Sequence, residues 1–236
     1  MENKRPMEAI ILAGGLGTRL RKVIGDVPKP MAPVNGKPFL SYLFEWLKKY
    51  PVKKIIISAG YKSESIMGYF GGSFLGIPVV YAIEEKPLGT GGAVLFALQE
   101  SSYENILIVN GDTFFPIDLN RFFNNHIGSS SRLTIALKSM KEFSRYGSVE
   151  CMGDTIIKFN EKKFCPEGLI NGGIYMINRE FIESRELPDS FSLEKDFLEK
   201  EAGSSLLKCM TFDDIFLDIG IPEDYQRAAS VLKSDR

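Results

Sequence analysis

The apolar run Ala9-Ile10-Ile11-Leu12-Ala13 passes without a linker into Gly14-Gly15-Leu16-Gly17-Thr18-Arg19-Leu20, and few folds accommodate such a junction. A strand leading straight into a glycine-rich turn that carries an arginine has the makings of a phosphate cradle. Glycine lets backbone N–H groups close on an anion with no Cβ in the way, and a guanidinium adds a fixed fork of donors for phosphate oxygens. Spacing excludes two familiar cradles. A dinucleotide fingerprint would need a glycine where Leu20 stands, and a P-loop would end in Gly-Lys-Ser/Thr where the chain has Gly17-Thr18-Arg19. A bare strand-to-helix turn would not explain why Arg19, Arg21, Lys22 and Lys29 follow so closely.

Downstream, apolar β-branched runs alternate with helical patterns, as parallel strands joined by crossovers require. Strands are predicted over Glu8 to Leu12, Lys54 to Ala59, Val79 to Ala82, Asn105 to Val109 and Leu133 to Leu137. Helices are predicted over Phe39 to Lys49, Ser63 to Tyr69, Gly91 to Leu98 and Leu119 to His126, the first with an apolar face of Leu40, Leu43, Phe44 and Leu47. The first half therefore reads as a doubly wound α/β unit with a mostly parallel sheet. After Tyr146 the pattern shortens to strands over Ser148 to Cys151, Thr155 to Phe159 and Gly173 to Ile177, expected as a small mixed subregion folded over the sheet edge. No repeat or linker divides the chain, so residues 1–236 are expected to form one domain with halves of about 1–140 and about 141–236.

Charge narrows the function. With 29 basic and 30 acidic residues the net charge is -1, which argues against a general nucleic-acid or anionic-membrane binder and makes phosphate contact a local matter. Three cysteines without a CxxC pair fit a reducing cytoplasm, and no segment reaches the length of a membrane span or a signal-peptide core. The single histidine, His126, rules out His-rich metal sites, and its polar neighbours Asn124 and Asn125 place it on the surface.

Open parallel sheets bind ligands beyond the carboxyl ends of their strands. There the chain places Gly14 to Arg19, Glu84-Glu85-Lys86-Pro87-Leu88-Gly89-Thr90-Gly91-Gly92 and Asn110-Gly111-Asp112. Asp112 would put a carboxylate at the cleft rim. Asp218, after another apolar stretch and before a helix starting near Pro222, could supply a second. Two carboxylates with phosphate oxygens and waters suit Mg²⁺, although Asp112 could instead close a turn and Asp218 cap a helix.

Seven ordered segments carry a family resemblance: LAGGLGTRL at 12–20, PKPMAPVNGKP at 28–38, EEKPLGTGGA at 84–93, NGD at 110–112, NEK at 160–162, NGGIY at 171–175 and LDIG at 217–220. The chain resembles the sugar-1-phosphate nucleotidylyltransferases. Within them it resembles the D-glycero-α-D-manno-heptose 1-phosphate guanylyltransferases and the related mannose-1-phosphate enzymes, also through Phe191 to Phe197. The resemblance implies a Rossmann-like nucleotidyltransferase fold and in-line attack of a sugar 1-phosphate on the α-phosphorus of a nucleoside triphosphate. It implies that Leu12, Ala13, Gly14, Gly15, Gly17, Thr18, Arg19, Lys29, Glu85, Gly89, Thr90 and Gly111 bind the nucleotide. Arg19, Lys29, Asp112 and Lys162 would be catalytic, and Asp112 and Asp218 would hold Mg²⁺. Gly147, Glu161, Lys162, Asn171, Gly172 and Glu194 would meet the sugar phosphate.

Guanine presents two donors on its Watson–Crick edge, and one carboxylate accepts both, so Glu85, or Glu84 in exchange, favours GTP. The implied partners are thus GTP and a sugar 1-phosphate, with no nucleic acid and no membrane, in a chain that could form a homo-oligomer. Mannose or glucose 1-phosphate with GTP, UTP, CTP or dTTP, and a non-catalytic sugar-nucleotide-binding regulator, stand as alternatives.

Overall fold

In the computed structural model, residues 5–15 and 20–232 are described. The main elements in chain order are β1 (Met7–Leu12), α1 (Phe39–Leu47), β2 (Val52–Ala59), α2 (Ser63–Phe70), β3 (Ile77–Ile83), α3 (Gly89–Leu98), β4 (Asn105–Asn110), α4 (Leu119–Gly128), β5 (Leu133–Phe143), β6 (Gly147–Met152), β7 (Thr155–Lys162), β8 (Cys165–Asn178), β9 (Leu207–Phe212) and α5 (Pro222–Val231). Among the described residues, no helix is long and apolar enough to cross a membrane.

The five runs predicted as parallel strands point the same way. β1 pairs parallel with both β2 and β4, and β2 with β3, while β5 shares that direction because β8 runs antiparallel to both β4 and β5. The strands form one 10-stranded sheet in the order β6-β7-β9-β5-β8-β4-β1-β2-β3, with Ser73–Phe74 at the edge. Alternation along each strand sorts side chains to two faces. Ile11, Ile57, Leu107 and Val109 meet Leu40, Leu43, Phe44 and Leu47 of α1 on one face. Ile10, Ile56, Ile106 and Ile108 meet Val94, Ala97 and Leu98 of α3 on the other. Burial on both faces explains why these strands read as unbroken apolar runs rather than alternating ones.

The second half departs from expectation. Its strands do not fold over the sheet edge; β8 enters the sheet directly beside β4, at Ile174↔Val109 through Asn178↔Asn105. The predicted strand over Gly173 to Ile177 is only the last part of β8, which begins at Cys165. Farther back, β8 pairs with β6 at Ser148↔Ile170, so β8, β5, β9, β7 and β6 close into a ring. The ladder between β8 and β5 shifts between Asn171 and Tyr175, where Gly173 takes φ +71, a left-handed conformation suited to glycine. Long-range pairing of this kind leaves no periodic trace in a local window.

His126 is corrected as well. It lies on α4 as predicted but is buried at 1% exposure, not on the surface. Its Nδ1 is 2.8 Å from Thr134 Oγ1 and its Nε2 3.0 Å from Asn105 Oδ1, polar partners on β5 and β4 that satisfy both ring nitrogens in the interior.

Candidate active site

The carboxyl ends of β1, β2, β3 and β4 open onto a cleft of about 690 Å³. Leu12, Ala13, Gly14, Gly15, Lys29, Glu85, Gly89, Thr90 and Asp112, all predicted for the site, line it. Gly17, Thr18 and Arg19 lie outside the described residues. Asn110, placed at a strand end by the sequence, lines the cleft too, whereas sequence reasoning missed Ser58, Gly60 and Tyr61. Ser58 is the penultimate residue of β2 and Gly60 and Tyr61 follow it, so the rule that picked out the other strand ends applied to them too. Tyr61 donates to Asp26 Oδ1 at 2.6 Å and Lys62 Nζ to the Asp26 carbonyl at 2.7 Å, tying this loop to the chain downstream of the glycine turn.

Gly111 serves the frame and not the lining. Its N–H donates to Leu12 O at 2.9 Å, and a Cβ there would stand 2.6 Å from the same oxygen, so glycine lets the ends of β1 and β4 meet. Asp112 follows immediately and accepts from Lys29 Nζ at 2.7 Å. Asp218 arrives from the other end of the sequence on a two-residue ladder, Leu217↔Phe114 and Asp218↔Thr113, and Ile219 N–H donates to Asp112 O at 3.0 Å. Leu217 and Ile219 seat this ladder in a small core with Phe39, Tyr42 and Ala228 of α5. The two aspartates are thereby held one ladder position apart.

Asp218 is the more enclosed, with 22% of its side chain exposed against 34% for Asp112. Burial, and after it the negative charge of Asp112, raises the Asp218 carboxyl above the usual carboxylate range; Lys29 and the bonds from Gly220 N–H (2.7 Å) and Tyr146 OH (3.2 Å) act the other way. Arg145 adds a second cation, with Nη2 4.0 Å from Asp218 Oδ2. That donor set, two carboxylates open to phosphate oxygens and water, fits a hard divalent cation. Among the described residues no cluster of three or more His, Cys, Asp or Glu forms a metal site.

The two glutamates after β3 have different surroundings. Glu84 accepts from Ser58 Oγ and from Leu88 N–H, each at 3.1 Å, and a Cβ on Gly14 would fall 2.8 Å from its Oε1. Gly14 is therefore small to admit the Glu84 carboxylate. Glu85 lines the cleft and has no hydrogen bond or ion pair among the described residues.

Residues 188–198 clasp the following loop. Gly91 N–H donates to Phe191 O at 3.0 Å and Phe191 N–H to Leu88 O at 3.0 Å. A Cβ at Gly91 would lie 2.0 Å from the Phe191 ring, and one at Gly89, where φ is +69, 2.4 Å from Phe191 O. The glycines of this run thus admit a neighbouring segment. The clasp continues into a π-helix at Leu193–Leu198, an uncommon turn often found at functional sites. It carries Glu194, which accepts from Thr90 Oγ1 at 2.8 Å and from Tyr175 OH at 3.3 Å, while Asn171 Nδ2 donates to Tyr175 OH at 2.9 Å. Thr90, expected to meet the nucleotide, and Asn171, expected to meet the sugar, are joined through two intermediates. Tyr175, fully buried beside Glu194, has its phenol pushed well above 10, so it stays a neutral donor.

The remaining residues expected to meet the sugar phosphate lie on the ring of strands. Gly147 pairs with Lys162 across β6 and β7, and a Cβ on Gly147 would meet Asn160 O at 2.3 Å. Glu161 and Lys162 are exposed there. Gly172 packs against Phe115, whose ring would be 2.6 Å from a Cβ.

Comparison with known proteins agrees with this architecture. A chain from Aneurinibacillus thermoaerophilus described as D-glycero-alpha-D-manno-heptose 1-phosphate guanylyltransferase is 49% identical over 96% of this chain and 99% of its own length. One of the same description from Campylobacter jejuni is 48% identical over 93% and 97%. The crystal structure of HddC from Yersinia pseudotuberculosis complexed with GMP-PN superposes with a TM-score of 0.86 at 37% identity, covering 96% of this chain and 100% of that one. The nucleotidyl transferase family model matches residues 8–235, the span that holds the cleft, the paired aspartates and the clasp, and the chain belongs to that family.

Proposed function

We infer that this protein transfers a guanylyl group from GTP to D-glycero-α-D-manno-heptose 1-phosphate, releasing pyrophosphate. The observation that carries this reading is near-full-length identity of 49% and 48% to two guanylyltransferases of that description. The sugar phosphate is its own nucleophile: the second pKa of a phosphate monoester is about 6, so an anionic oxygen is ready near neutral pH and needs no protein base. The chain's one histidine fits that chemistry, lying on the buried face of α4 and engaged by Thr134 and Asn105. Work is left for positioning and charge neutralisation.

In this reading Gly14, Gly15 and, beyond the described residues, Arg19 hold the triphosphate, and Lys29 meets the charge that develops toward pyrophosphate. Asp112 and Asp218 hold Mg²⁺, which when bound neutralises charge on the α-phosphate and the incoming phosphate. Lys162 takes the sugar phosphate. Glu161, Asn171, Glu194 and the backbone at Gly147 and Gly172 meet the sugar. Glu85 reads guanine, with Gly89 and Thr90 beside it. Support for Glu85 over Glu84 is that Ser58 and Leu88 already occupy the Glu84 carboxylate.

Steady-state rates on a panel of GTP, UTP, CTP and dTTP against heptose, mannose and glucose 1-phosphates test the assignment. Glu85→Gln keeps one acceptor and loses one charge-assisted bond, so the preference for GTP over UTP should fall about 10- to 100-fold. An unchanged nucleotide ratio would remove Glu85 as the reader. A mannose or glucose 1-phosphate used faster than the heptose would overturn the substrate.

A further inference from the structure

Outside the cleft, two thiols that lie far apart in sequence meet. Cys151 stands on β6 opposite Ile156 of β7, and Thr155 of β7 stands opposite Lys208 of β9. The turn between β6 and β7, with Gly153 at φ +62, is held against β9 by a bond from Cys209 N–H to Asp154 O at 2.7 Å. That turn brings the Cys209 thiol to the Cys151 sulfur at 3.3 Å, with Cys209 the donor. Cys209 is 6% exposed and Cys151 is half-buried, so a small oxidant reaches Cys151 first. Neither residue lines the cleft. The third cysteine, Cys165, bonds instead to Glu167 O at 3.1 Å.

We propose that Cys151 and Cys209 form a modification site, a dithiol that a hydroperoxide converts to an intramolecular disulfide and a dithiol reductant restores. The Cys151 sulfur, assisted by the bond it accepts from Cys209, attacks one peroxide oxygen. An S–O bond forms, the O–O bond breaks, and the departing hydroxide leaves as water with the Cys151 proton. The Cys209 sulfur then attacks the sulfenic sulfur; the S–S bond forms and the second oxygen leaves as water with the Cys209 proton. Two thiols lose two electrons and one hydrogen peroxide gains them. The two sulfurs, now 3.3 Å apart, have to close to the S–S bond length of about 2.05 Å.

The bond would staple the tip of the β6–β7 hairpin to β9. Gly147 begins β6, and β9 leads toward Asp218, so the staple restrains the sugar side of the molecule without touching the nucleotide. A crosslink closing so long a loop restricts the unfolded chain strongly.

The test treats the full-length protein with a small excess of hydrogen peroxide, quenches with catalase and counts thiols with an aromatic disulfide reagent. Thiols should fall from three to one with Cys165 retained, the intact mass should drop by about 2 Da, and Tm should rise by about 5–10 °C and return with dithiothreitol. Cys151→Ser should keep two thiols after the same treatment and show no rise. Three thiols remaining after treatment, loss of Cys165 first, or a covalent dimer in place of the internal bond would overturn the proposal.

Discussion

Gly91→Ala sets two effects of opposite sign against each other. Gly91 lies within α3, and alanine in a helix interior ordinarily gains about 1 kcal/mol over glycine. At this position the new methyl would stand 2.0, 2.4 and 2.6 Å from three carbons of the Phe191 ring. Ordinary carbon contacts are about 3.5–4.0 Å, so the ring has to withdraw by about 1.5 Å or more. It cannot move with its backbone, because Phe191 O accepts from Gly91 N–H and Phe191 N–H donates to Leu88 O. Overpacking costs about 1–3 kcal/mol, and expelling the ring, now 4% exposed, forfeits about 1.5–3 kcal/mol of burial. The ring incurs one cost or the other, so after the helix gain is subtracted the variant should be up to about 2 kcal/mol less stable, with Tm lower by up to about 8 °C. Displacing Phe191 also pulls on Ser192 to Glu194, so the Thr90–Glu194 bond loosens and KM for the sugar phosphate rises. Gly68→Ala is the control: Gly68 is exposed in α2 with nothing near its Cβ direction, and there Tm should rise by about 2–4 °C. Calorimetry on both variants decides. Equal rises in Tm would refute the clasp between Phe191 and the glycine run.

Three further outcomes follow from the site and its surroundings. Burial depresses His126 from 6.5 to about 4, so between those values the unfolded chain takes up a proton that the folded one refuses; stability is full above about pH 6.5 and should fall by about 3 kcal/mol as pH drops to about 4. His126→Gln should flatten that part of the urea-denaturation profile, and an unchanged slope would show that His126 is not the group responsible. Asp218→Asn should abolish turnover while making the protein more stable at pH 7.5. Its raised carboxyl contributes favourably below the unfolded value and that contribution is lost as pH rises through the folded one, so the variant's advantage should shrink toward acid. Lost stability at pH 7.5 would contradict the cost of holding a buried charged carboxylate at Asp218. Asp112→Asn frees Lys29 from its 2.7 Å partner and should remove turnover with little change in nucleotide binding; retained turnover would argue against a metal role for Asp112.

Much of this was written in the order of residues. β1 through β4 and the helices between them were legible because both faces of the sheet are buried and each element is read within a short window. So were the cleft residues at Gly14, Glu85 and Asp112, since ligands gather where parallel strands end. The buried place of His126 was not legible, because its partners Thr134 and Asn105 lie on two separately legible strands whose packing against α4 no local window shows. The insertion of β8 beside β4 escaped for the same reason: antiparallel pairing across some 65 residues leaves no period in the chain.

The sequence by itself determined the alternation of strands and helices, the glycine turn and the stock of carboxylates and cations. Only the tertiary structure decided which of them act together. The ladder that puts Asp218 beside Asp112, the occupation of Glu84 but not Glu85, and the seating of Phe191 on Gly91 all depend on distances between segments remote in the chain. Periodicity records how one segment meets the core, whereas a site is made by several segments meeting one another, and that geometry exists only after the core has closed.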